Sequence, residues 1–98
     1  PMEERADIQR DVHMFICTRL KDGECCGAKG SAEMRLQLKL WIKDKGLKDK
    51  VKVTATQCLG YCKEGISVCI YPQAKWLLHV RPENIEDLKK EILGLIEN

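Results

Sequence analysis

The chain has 98 residues, 44% hydrophobic and 33% charged, with 17 lysines and arginines against 15 aspartates and glutamates and a net charge of +2. That length supports one domain with a modest core, and the composition is globular, not disordered. Both signs of charge are interspersed, which argues against a nucleic-acid partner, and no apolar run approaches the ~20 residues needed to span a bilayer.

The first residues, PMEERADIQRD, are charged and lack the apolar centre of a secretory signal, so a cytoplasmic location is expected. Pro1 ahead of Met2 reads as a remnant of expression, and residues 1–11 as an extension before a single domain at 12–97. Val12 to Cys17 (VHMFIC) is short, apolar and flanked by charge, the signature of a buried strand. A loop with three glycines and two cysteines follows, TRLKDGECCGAKG.

Ser31 to Lys45 (SAEMRLQLKLWIKDK) fits two periods. Leu36, Leu38, Leu40 and Ile42 alternate as in a strand, whereas Met34, Leu38, Trp41 and Lys45 fit one helical stripe with Leu40 and Leu47 close to it. Its length and its content of Leu, Lys, Gln, Arg and Met favour a helix, with Ser31 as its cap and Gly46 as its stop. Val51 to Thr56 (VKVTAT) is a second strand, followed by the loop CLGYCKEG. Ile66 to Tyr71 (ISVCIY) is a third strand and Lys75 to Val80 (KWLLHV) a fourth, joined by a tight turn at Pro72-Gln73-Ala74. Pro82 opens a final helix with the apolar stripe Ile85, Leu88, Ile92, Leu95 and Ile96 and a Glu86–Lys90 pair. The order β-α-β-β-β-α implies an α/β (α+β) domain, a four-stranded mixed sheet with helices packed on it.

Six cysteines, at 17, 25, 26, 58, 62 and 69, stand on that frame. In a chain without an export signal, clustered cysteines point to a metal or redox site before structural disulfides. The first two strands of a strand–helix–strand unit end at the same edge of the sheet. Cys17, with Cys25 or Cys26, would there meet Cys58 and Cys62, the geometry of a metal or iron–sulfur site. Gly27, Gly30 and Gly60 beside these thiols allow backbone N–H groups to approach bridging sulfides, and the helix start near Ser31 adds donors. Leu59 and Tyr61 are candidates to shield the site. Cys69, inside a strand, reads as a small buried hydrophobe, and His13 and His79, also in strands, as structural. The basic stretch KDKGLKDKVK at 43–52 reads as a solvated helix end, with a docking patch for an acidic partner as the sharper alternative.

The patterns C-x8-C-x3-G from Cys17 to Gly30 and C-x-G-x-C-x2-G from Cys58 to Gly65, with ISVCIYP and KW after them, resemble the thioredoxin-like [2Fe–2S] ferredoxins. The same module resembles the small iron–sulfur subunit of NADH dehydrogenases and related hydrogenase subunits. Ile66 departs from the proline many members carry there. The resemblance implies a thioredoxin-like fold and a [2Fe–2S] cluster held by Cys17, Cys26, Cys58 and Cys62, with Cys26 favoured over Cys25 by its spacing to Gly30. It implies one-electron transfer with redox partner proteins, no enzymatic turnover, and a homodimer or a place in a larger redox complex. Two rivals use the same thiols. A structural zinc domain would favour tighter C-x2-C knuckles, and a thiol–disulfide oxidoreductase would want C-x2-C at a helix N-terminus; neither is present.

Overall fold

The computed structural model describes residues 1–19, 30–57, 59–60 and 65–97. Its main elements are β1 (Val12–Cys17), α1 (Ser31–Asp44), β2 (Val51–Thr56), β3 (Ile66–Tyr71), β4 (Lys75–Val80) and α2 (Ile85–Ile96). The strands form one sheet in the order β2-β1-β3-β4, in which β1 runs parallel to β2 and antiparallel to β3, and β4 pairs antiparallel with β3. The mixed four-stranded sheet and the element order are those expected from the sequence. All four strands keep the expected limits because charge, glycine or proline brackets each β-rich run.

Successive side chains of a strand point to opposite faces. On one face Val12, Met14, Ile16, Val51, Val53, Ile66, Val68 and Ile70 join Met34, Leu38 and Ile42 of α1 and Leu88 and Ile92 of α2 in a single buried core. Each such apolar side chain contributes roughly 1.5–3 kcal/mol on burial, so this face holds the fold together. The other face carries His13, Phe15, Lys52, Thr54, Cys69, Tyr71, Trp76 and Leu78, and among the described residues no helix packs against it. Along it Thr54, Phe15, Cys69 and Trp76 are partners in one row across all four strands.

The two periods in α1 resolve through tertiary packing. Met34, Leu38 and Ile42 are buried at four-residue spacing, Trp41 packs half-buried at the core margin, and Leu36, Leu40 and Lys45 are exposed. The inward stripe therefore leaves the expected line at its C-terminal end, where Ile42 replaces Lys45. The Lys89 ammonium lies 5.7 Å from the centre of the Trp41 ring, which ties α2 to α1. Ser31 is not the cap: Gly30 holds the N-cap position at φ 94°, and Ser31 is the first helical residue, buried to 0% exposure. Only glycine takes that backbone conformation without cost, so it displaces the side-chain cap.

Two details differ at α2. Pro82 belongs to a 3-10 turn, Pro82–Asn84, ahead of the α-helix. There the Asn84 side-chain carbonyl accepts a bond from the Arg81 N–H at 2.9 Å. Glu86 pairs with Lys89 at 3.2 Å rather than with Lys90, a surface contact of small energetic weight. Before β1, a short 3-10 turn at Ala6–Ile8 is tied down by Arg10, whose Nε donates to the Lys48 carbonyl at 3.2 Å.

Candidate metal centre

Strand register sets Cys17 and the last residue of β2 at one edge of the sheet. Cys17, the last residue of β1, is the partner of Thr56, the last residue of β2. The Thr18 N–H then donates to the Thr56 carbonyl at 2.9 Å, extending the pairing one residue past β1. Ile66, which opens β3, is the partner of Val80, which closes β4, and the antiparallel pairing of β1 with β3 sets both at the same edge as Cys17. Gly30 reaches this edge too: a Cβ built on it would stand 3.2 Å from Cγ of Pro82, just beyond β4. The chain therefore leaves and re-enters the described fold at a single rim.

Of the six cysteines, Cys17 and Cys69 lie among the described residues; both are free and buried. Cys17 is 0% exposed and takes its place at the rim. Cys69 sits mid-strand between Phe15 and Trp76, away from the rim, and burial raises its thiol pKa, as suits a small hydrophobe. Cys25, Cys26, Cys58 and Cys62 lie outside the described residues, as do Gly27 and Tyr61. Cys58 follows Thr56 by two positions in the chain. Among the described residues no three of His, Cys, Asp and Glu gather into a metal site.

The described rim offers hydrogen-bond donors suited to a negatively charged group. The Ser31 hydroxyl is buried in the first turn of α1 with no hydrogen-bond partner among the described residues. A buried polar group left so is costly and suits an acceptor at the helix start, where free N–H groups and the helix dipole also favour negative charge. Gly60 stands at φ 95°, and a Cβ built on it would meet none of the described residues within 4 Å, so its place there rests on backbone geometry. Gly65, at φ 79°, is placed for a different reason. A Cβ there would lie 3.0 Å from the His79 Cα, at a bulge where β4 passes the start of β3. The sequence reading missed this crossing contact, because its cause lies in β4. Leu59 packs half-buried against the core, in keeping with a shielding role.

The two histidines are placed differently: His13 lies near the start of β1, away from the rim, and His79 lies beside Gly65 near the rim. His13 stacks on Phe15 with ring centres 4.0 Å apart, and its Nε2 lies 2.7 Å from the Thr54 hydroxyl. Burial, then Lys52 and Arg10, lower its pKa from the ordinary value. His79 is exposed on β4 at φ 58°. No helix of the described residues is long and apolar enough to cross a membrane.

No family model matches the chain. It is 31% identical over 80 residues to a 2Fe-2S ferredoxin of Clostridium pasteurianum, covering 78% of each chain. Among solved structures, the wild-type thioredoxin-like [2Fe-2S] ferredoxin of Aquifex aeolicus matches with a TM-score of 0.74 and 27% identity, over 88% of this chain and 89% of that one. A cysteine-to-serine variant of the same ferredoxin matches with a TM-score of 0.74 and 25% identity, over 84% and 86%.

Proposed function

Because the chain belongs to the thioredoxin-like [2Fe–2S] ferredoxins, we propose that it is a one-electron carrier, not an enzyme, with one [2Fe–2S] cluster held by Cys17, Cys26, Cys58 and Cys62. The observation that supports this best is the register of Cys17 against Thr56, two residues before Cys58. The bound cluster supplies reversible one-electron chemistry. The protein's part is placement and environment. The parallel β1–β2 pair holds the two cysteine-bearing segments at one rim. The first turn of α1 offers N–H groups and the Ser31 hydroxyl as donors to negative charge. Leu59 limits the access of water.

The working location we propose is the cytoplasm, and the partners are proteins that give and take one electron. We also propose that the chain pairs with a second copy through the helix-free face of the sheet. Trp76, Tyr71 and Leu78 stand 44%, 39% and 36% exposed there, and Lys52 is the only formally charged strand residue on that face. Two such faces meet with little like-charge repulsion. Trp76→Glu should convert a dimer into a monomer in sedimentation experiments; a wild-type chain that sediments as a monomer at high concentration would dispose of this pairing.

The cluster itself is tested by a spectrum. Protein purified without oxygen should be red-brown, with bands between about 400 and 550 nm that bleach on reduction with dithionite. Colourless protein containing zinc would replace the carrier with the structural zinc domain.

A further inference from the structure

The N-terminal half of β2 and the outer side of α1 border an open cleft of about 440 Å³ on the flank of the sheet. Every ionisable residue lining it is a cation: Arg10, Arg35, Lys39, Lys43, Lys48 and Lys52. The chain as a whole is nearly balanced, so this is a segregation of charge and not a reflection of composition. Among the described residues none of the six takes part in an ion pair. Arg35 Nε is buried without a hydrogen-bond partner among the described residues, although a guanidinium nitrogen out of water ordinarily has one.

The rest of the cleft is apolar. Its floor is made by Ile42, Val51 and Val53, and Leu40 stands at its margin, 52% exposed. One helical turn earlier Leu36 is 45% exposed. Arg35, Lys39 and Lys43 recur every four residues beside this leucine pair, so α1 presents a row of cations next to a row of leucines. Purely ionic ligands have no use for the leucines. A nucleic acid would call for aromatic platforms, and none lines the cleft. Carboxylates interleaved with apolar side chains match both rows.

We propose that this cleft docks a carboxylate-rich, leucine-bearing segment of a protein partner. If the electron-carrier reading holds, that partner is a redox protein. The cleft opens beside the start of β2 and the rim lies at its end, so a docked segment grips the flank and leaves the rim free. The docking chemistry is independent of the cluster and can be tested separately from it.

The probe is a fluorescent glutamate-rich peptide of about 16 residues with leucine at regular helical spacing, titrated into the full-length, cluster-loaded protein by anisotropy. Binding should weaken steeply with salt and fall at least about tenfold in Lys39→Glu/Lys43→Glu. It should be unchanged in Lys90→Glu, on α2. The visible spectrum and melting temperature, recorded on the same samples, show that the double variant is folded and loaded. Loss of the visible bands in the wild type would count against the carrier and not against the cleft. Equal binding by the double variant, or tighter binding of a single-stranded thymidine oligonucleotide of the same charge, would overturn the proposal.

Discussion

Cys17→Ser should lose or alter the red-brown chromophore, whereas Cys69→Ser should leave the visible spectrum unchanged. The two thiols are alike in burial, at 0% and 5% exposure, and differ in place. Cys17 stands at the rim opposite Thr56, while Cys69 is enclosed in mid-sheet by Phe15 and Trp76. Thiolate ligation depends on a sulfur at the converging segments, so burial alone predicts nothing and position decides. The same reasoning extends to the neighbouring pair: Cys25→Ser should keep the colour and Cys26→Ser should lose or change it. Absorbance, electron paramagnetic resonance and iron content on the four variants check the set. A colourless Cys69→Ser that is still folded, or a fully coloured Cys17→Ser, would reverse the assignment.

Gly65→Ala should destabilise the fold by about 2–3 kcal/mol, while Gly60→Ala costs only about 1 kcal/mol. Both glycines have positive φ, so both variants carry the backbone strain of an L-residue there. Only at Gly65 does the added methyl also meet something: the His79 Cα at 3.0 Å, a backbone atom that cannot swing away. Relief would require β4 to lift from the start of β3 at its bulge, which loosens the Ile66–Val80 pairing beside the rim. Urea denaturation of the two variants measures the difference, and equal stability would show that β4 yields without cost. Gly65→Ala should also shed its cluster sooner on warming, because the strand end next to Cys62 in the chain is the part that shifts.

Strand limits were legible in the sequence because the β-branched and apolar runs are short and punctuated, as at ISVCIYP. The meeting of β1 and β2 was legible as well, since a helical crossover between parallel strands leaves their ends at one edge. Three features were not. The cap of α1 depends on the backbone sign of Gly30, and serine before an apolar run gave the more ordinary signal. The choice between Ile42 and Lys45 on the inward side depends on where β2 lies under α1. The basic cleft joins Arg10 and Arg35 to the 43–52 stretch, three segments that come together only in the fold. The proposed ligand set, Cys17, Cys26, Cys58 and Cys62, comes from the family resemblance, and of the four Cys17 lies among the described residues.

Ala6, Gln9, Arg10 and Asp11 border the same hollow as Leu95 and Ile96, beside the turn at Pro72 and Gln73. The segment before β1 and the last turn of α2 thus meet at the end of the sheet opposite the rim, a strand length of roughly 20 Å from it. A tether attached at this hollow would hold the molecule by the end opposite Cys17, leaving the proposed cluster rim outward.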